Sequence, residues 1–194
     1  MLTDERIEQI LTDSGALLTG HFLLTSGRHS NKYMQCAKIL QKPAFAVELV
    51  SYLAEQFKDD GVDIVISPAV GGIVIGYELA RQLNVTALFA ERENGIMTLR
   101  RGFEIPTGAR VVVAEDVITT GGSVQEVIDI VKQSGGIVAG VALLVDRSGG
   151  TIDFAAKTVA AYTTAVVSYE AENCPLCAAG EVALTKPGSR GLAK

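Results

Sequence analysis

The stretch Val111-Val112-Val113-Ala114-Glu115-Asp116-Val117-Ile118-Thr119-Thr120-Gly121-Gly122-Ser123 decides the fold. Its apolar, β-branched start reads as a buried strand over residues 110–114, ended by two adjacent carboxylates. A Thr-Thr-Gly-Gly-Ser turn then opens a helix expected over residues 121–134. Outward from this unit the pattern repeats. Residues 62–67 (VDIVIS), 85–90 and 137–145 read as further strands, and residues 43–58 and 73–83 as helices. In the first of these helices Ala46, Leu49, Val50, Leu53 and Phe57 recur at helical spacing, behind a proline suited to the first turn. A further helix starts near Thr3, with Glu5 and Glu8 in its first turns. Residues 97–100 alternate and suggest a hairpin arm, residues 21–38 read as loop and short strands, and the tail after Glu172 reads as surface loop. Strands alternating with helices describe βαβ units. The expected class is α/β: a doubly wound, mainly parallel sheet with helices on both faces.

The chain has 194 residues, 48% hydrophobic and 20% charged, with 20 glycines and 5 prolines, which suits one globular domain rather than a disordered or collagen-like chain. Seventeen basic against 22 acidic residues give a net charge of −5, which disfavours non-specific nucleic-acid binding. No apolar run approaches the roughly 20 residues needed to span a bilayer, and the charged N-terminus is not a signal peptide. The 3 cysteines, an odd number, suggest reduced thiols in the cytoplasm. Cys174-Pro175-Leu176-Cys177 is a C-x-x-C. A zinc reading needs more ligands, for which only Cys36, His21 and His29 remain, so structural or incidental thiols are expected and no metal held by the protein.

The turn after the carboxylates has the makings of an anion site. Gly121 and Gly122 allow close backbone approach, the helix start offers free N–H groups, and Thr119, Thr120 and Ser123 add hydroxyls. Glu115 and Asp116 would repel that anion, so they must serve hydroxyls or a developing positive charge. Phosphate at one end with hydroxyls and a cationic carbon at the other describes a ribose 5-phosphate. The Gly-Lys-Ser/Thr of a P-loop and the G-x-G-x-x-G of dinucleotide sites are both missing.

The 111–123 segment resembles the signature of type I phosphoribosyltransferases. Gly20-His21-Phe22-Leu23-Leu24-Thr25-Ser26-Gly27-Arg28-His29-Ser30, Ser67-Pro68-Ala69-Val70-Gly71-Gly72 and Leu144-Val145-Asp146-Arg147 resemble segments of the orotate branch of that family. The resemblance runs from about residue 20 to the C-terminus. It implies a type I phosphoribosyltransferase fold as a single domain over residues 1–194, with residues 1–40 and 170–194 forming a small hood and tail, and a flexible loop. It implies transfer of phosphoribosyl from phosphoribosyl pyrophosphate to orotate in UMP synthesis. By resemblance, Glu115, Asp116 and Arg92 are catalytic, and residues 115–123, Arg92 and Gly71 bind phosphoribosyl pyrophosphate. Thr119, Arg147, Ser26, Tyr33 and Met34 would bind orotate. Mg²⁺ would be bound mainly through the donor, and a homodimer with sites near its interface is implied, with no nucleic-acid or membrane partner. The chain departs from the best-known branch. Thr25 stands where that branch has lysine, and the 92–101 loop lacks lysine and histidine. It resembles instead a short-loop branch with Glu-Arg-x-x-Gly followed by Leu-Arg-Arg-Gly-Phe, in which Arg92 is the best candidate for pyrophosphate and Arg100 and Arg101 are weaker ones. Lys186-Pro187-Gly188-Ser189-Arg190 is a further feature of that branch. A purine phosphoribosyltransferase and a non-catalytic donor-sensing regulator are the competing readings.

Overall fold

A computed structural model describes residues 2–24, 26–165 and 167–187. Thr25 and Gly188-Ser189-Arg190 of the motifs above lie outside the described residues. The chain begins with α1 (Asp4–Asp13), capped by Thr3, whose side chain accepts from the Arg6 amide. The hairpin β1 (Leu17–Leu23) and β2 (His29–Met34) follows, then the short α2 (Ala37–Leu40) and α3 (Pro43–Phe57). The alternating part comprises β3 (Ile64–Pro68), α4 (Gly72–Leu83), β4 (Thr86–Glu93), β5 (Ile96–Leu99), β6 (Arg110–Ile118), α5 (Gly122–Gln133), β7 (Ile137–Asp146) and β8 (Thr158–Thr163). The tail holds a 3-10 turn (Ala171–Asn173), α6 (Pro175–Ala179) and β9 (Leu184–Thr185).

The main sheet has six strands in the order β5-β4-β3-β6-β7-β8, parallel except for the antiparallel β4–β5 arm. The fold is thus the expected mixed α/β architecture. Period-two alternation divides each central strand between two cores. Val65, Val112, Ala114, Ala142 and Leu144 pack with α3 and α4 through Leu49, Leu53, Phe57, Ile75 and Leu79. Ile64, Ile66, Val111, Val113, Val141 and Leu143 pack on the other face against Val124, Val127, Ile128 and Val131 of α5. No helix among the described residues is long and apolar enough to cross a membrane.

Three expectations change. The central strand continues past Ala114 to Ile118, because Glu115, Val117 and Ile118 stay in register with Leu143, Val145 and Asp146 of β7. The carboxylates therefore sit within the strand rather than after it. β8, unforeseen in the sequence, adds to the outer side of β7. The tail lies on the surface as expected but is not all loop: β9 pairs parallel with β1 (His21 with Leu184, Phe22 with Thr185), making a second sheet in the order β2-β1-β9.

Gly140 shows how closely β7 lies under α3. A Cβ there would stand 2.5 Å from the Phe57 ring and 2.7 Å from the Lys157 carbonyl. Gly140→Ala is expected to destabilise the fold by about 1–3 kcal/mol through overpacking, read as a lower midpoint in thermal unfolding. An unchanged midpoint would mean this packing is looser than described.

Candidate active site

Glu115 and Asp116 lie at the C-terminal end of the sheet, where β3 and β6 part. Those two strands pair only from Ile64 with Val111 to Ile66 with Val113. Beyond that point the β3–α4 turn brings Gly71 and Gly72 against the two acids. A Cβ on Gly71 would stand 2.9 Å from each carboxylate oxygen of Asp116, and one on Gly72 would stand 3.0 Å from Glu115 Oε1. Only glycine leaves room for this approach. The Asp116 amide donates to Glu115 Oε1 at 3.0 Å. Glu115 is buried, 8% exposed. That burial, followed by the charge of Asp116, pushes its pKa up to about 9. Burial raises Asp116 as well. At neutral pH the pair therefore favours keeping a proton, and hydroxyl donors or a nearby positive charge would restore its full anionic form.

Beside the acids a cavity of about 320 Å³ is lined by Arg92, Glu115, residues 117–124 and Glu126. Its floor is the β6–α5 turn. Gly121 there has φ +73°, and a Cβ on it would meet the Phe154 ring at 2.8 Å, so glycine is required twice over. The first amides of α5 open onto this cavity, an arrangement suited to phosphate. Arg92, on β4, lies at the wall. Its Nη2 is 2.6 Å from Glu126 Oε2, and its Nη1 donates to the Gly95 carbonyl at 2.8 Å.

A second cavity, about 190 Å³, is lined by Leu17, Asn31, Lys32, Tyr33, Met34, Arg147, Thr164, Ala165 and Val167. Arg147 follows the end of β7. Its Nε is buried with no hydrogen-bond partner among the described residues, and burial lowers its pKa, though a guanidinium stays charged. The adjacent Asp146 does not neutralise it. Asp146 accepts from the Ser148 amide and hydroxyl and from the Gly150 amide, which holds the turn after β7. The Arg147 amide donates to the Ile118 carbonyl at 3.0 Å, one residue before Thr119, so the two cavities share a backbone link.

Residues 35–160 match the phosphoribosyl transferase domain family. The chain belongs to that family. It is 56% identical over 191 residues to the orotate phosphoribosyltransferase of Pelotomaculum thermopropionicum, covering 98% of this chain and all of that relative. The crystal structure of orotate phosphoribosyltransferase from Aeropyrum pernix aligns with a TM-score of 0.69 at 28% identity, covering 81% of this chain and 93% of that one. Adenine phosphoribosyltransferase from Thermoanaerobacter pseudethanolicus shares the fold, with a TM-score of 0.60 at 18% identity over 68% of this chain and 88% of its own.

In this phosphoribosyl transferase the structure brings together most of the residues singled out in the sequence. The acids, Gly71, Arg92 and residues 117–123 meet at one sheet edge, and Tyr33, Met34 and Arg147 meet in the second cavity. Ser26 is not among that cavity's lining residues; it is exposed at the β1–β2 tip. Thr119 lines the first cavity and not the second. Arg100 and Arg101 are engaged on the β4–β5 arm, Arg100 Nη2 3.2 Å from Glu93 and Arg101 Nε 3.0 Å from Glu91. Glu126, the partner of Arg92, was not foreseen. Its helical position one turn inside α5 is the signal that could have placed it at the cavity mouth.

A buried acid with a raised folded pKa stabilises the fold while protonated, and that contribution fades as pH climbs from the unfolded value near ~4.3 to the folded one. For Glu115 the window ends at about 9. Without ligand, the unfolding midpoint should fall between pH 5 and pH 9, and Glu115→Gln should flatten that fall. An equal slope in the variant would mean that Glu115 is already ionised in the fold.

Proposed function

We propose that this enzyme transfers the 5-phosphoribosyl group from phosphoribosyl pyrophosphate to orotate, giving orotidine 5′-phosphate and pyrophosphate in UMP synthesis. The observation that carries the choice of acceptor is Arg147, whose buried Nε has no partner among the described residues, in a small cavity joined through backbone to the β6–α5 turn. A planar guanidinium suits the carboxylate that distinguishes orotate from uracil. The curated relatives named orotate phosphoribosyltransferase, at 51–56% identity over most of this chain, support the same acceptor.

In this reading the α5 amides and the hydroxyls of Thr119, Thr120 and Ser123 hold the 5′-phosphate, with Val117 and Ile118 lining the approach. That grip supplies binding energy remote from the reacting carbon. Glu115 and Asp116 hold the ribose hydroxyls and favour the positively charged ring of an oxocarbenium-like transition state. Gly71 lets the β3–α4 turn approach the pyrophosphate. Arg92 reaches the pyrophosphate by exchanging Glu126 for it, a swap of one exposed anion for another. Tyr33 and Met34 flank the base, Thr119 touches both base and ribose, and Ser26 joins the base site by movement of the hairpin tip. The site's donors are hard oxygens, with Gly71 leaving the Asp116 carboxylate uncovered by any Cβ, which fits Mg²⁺ carried in mainly on the donor. When bound, that ion neutralises the leaving pyrophosphate.

We also place the enzyme in the cytoplasm, where its unpaired cysteines stay reduced. It acts there as a homodimer on small-molecule substrates, with no nucleic-acid or membrane partner. Exposed Val70, Val74 and Tyr77 form an apolar surface beside Gly71 that a second copy would cover, close to both active sites. Sedimentation equilibrium should give twice the chain mass, and Tyr77→Lys should weaken association. A wild-type monomer at micromolar concentration removes the dimer.

The decisive assay follows the loss of orotate absorbance with phosphoribosyl pyrophosphate and Mg²⁺, beside uracil, adenine, hypoxanthine and xanthine. Orotate alone should be consumed. Arg147→Ala should raise the KM for orotate about 10- to 100-fold with little change for the donor, the loss of a charge-assisted pair. Asp116→Asn should lower kcat by about 10²–10³-fold while the variant stays folded. Consumption of a purine would discard the base-site assignment, and wild-type turnover in a folded Asp116→Asn would discard the role of that acid.

A further inference from the structure

The tail and the first hairpin bring four metal-ligating side chains to one point, away from both cavities. His21 on β1, His29 at the start of β2, Cys174 and Cys177 present ligand atoms that all lie within 4.8 Å of one another. His21 Nε2 is 3.0 Å from His29 Nδ1, 3.5 Å from Cys174 Sγ and 3.7 Å from Cys177 Sγ. Cys177 Sγ is 3.2 Å from His29 Nδ1. One ring nitrogen offers a single proton or a single lone pair, so hydrogen bonding can satisfy only one of the three approaches to His21 Nε2. A tetrahedral ion satisfies them all. With Zn–S near ~2.3 Å and Zn–N near ~2.0–2.1 Å, its ligand atoms would stand about 3.3–3.8 Å apart, close to the separations seen.

We propose that His21 Nε2, His29 Nδ1 and the thiolates of Cys174 and Cys177 form a structural zinc site. Burial supports it: His21, His29 and Cys174 are 3%, 5% and 3% exposed, an unusual place for two histidines without a strong partner. Charge supports it as well. Two thiols release their protons to solvent on binding, and two thiolates balance a divalent ion, so the filled site buries no net charge. His21 Nδ1 lies 3.1 Å from the Val182 carbonyl, which fixes its proton there and turns the Nε2 lone pair toward the cluster. The C-x-x-C geometry comes from α6, whose cap is Cys174 and whose first residue is Pro175. Two sulfur and two nitrogen ligands favour zinc, and four protein ligands leave no open position, which makes the site structural rather than catalytic.

Of the structural and incidental readings of these thiols, the proposal takes the structural one, as a clasp. It joins the tail to the hairpin whose second strand carries Tyr33 and Met34 into the Arg147 cavity.

The test uses untagged, reduced full-length protein, loaded with zinc and dialysed against metal-free buffer. Elemental analysis should give one zinc per chain, and a chelator should lower the unfolding midpoint. The Cys174→Ser/Cys177→Ser double variant should hold less than about a tenth of that zinc, while Cys36→Ala keeps it. Replacement by Co²⁺ should give the thiolate charge-transfer absorption of a tetrahedral sulfur-ligated ion, a readout that stands even where the double variant fails to fold. Wild-type protein without stoichiometric zinc, zinc retained in the folded double variant, or Co²⁺-loaded wild type without thiolate absorption would each overturn the site.

Discussion

The position of β6 between β3 and β7 is the constraint on which the rest depends. Chain direction reverses about this strand: α4 carries the chain from β3 out to β4, whereas α5 carries it from β6 the opposite way to β7. At such a switch point neighbouring loops part and leave a crevice at the carboxyl ends of the strands. The three segments that build the candidate site all emerge there, from β3 (Gly71 and Gly72), from β6 (the acids and the β6–α5 turn) and from β7 (Arg147). Parallel pairing, set by strands rich in Val, Ile and Leu, is thus what brings residues 71, 116 and 147 to the same carboxyl edge of the sheet.

That arrangement costs stability at the site. Glu115 is buried and the half-buried Asp116 lies beside it, with Gly71 and Gly72 pressed against them, and the pKa of each acid is raised. The half-buried Arg147 likewise keeps its Nε buried without a hydrogen-bond partner among the described residues, because Asp146 is committed to its own turn. An acidic pair and a guanidinium nitrogen without a partner among the described residues, held at one sheet edge, are poor structure, and such perturbed groups mark a candidate ligand site.

The central unit was legible because its signals are local. The strand-acid-acid-Thr-Thr-Gly-Gly-Ser run, the stripe of α3 and the residues closing β7 each carry their reading within a dozen positions. Features that rest on distant partners were not legible. β6 runs on through two acids only because β7 supplies matching hydrogen bonds, and β8 is a short six-residue run that gains its strand from β7 alone. β9 is two residues long and exists through its pairing with β1, some 160 positions away. The sequence names His21 and His29 as remaining ligand candidates for the C-x-x-C, but with a similar distance between them it carries no signal that they meet. Arg92 was found in the sequence but its partner Glu126 was not, since their ion pair spans 34 positions.

The pairing of β1 with β9 also bears on how the chain is made. β1, made long before β9, receives its outer partner from that late stretch, and His29 likewise waits for its backbone bonds with Tyr169. Throughout synthesis the hairpin edge stays open while the central sheet can already close. The hairpin side of the second cavity is therefore completed last, and a nascent chain released early would carry a finished β6–α5 turn beside an exposed, adhesive strand.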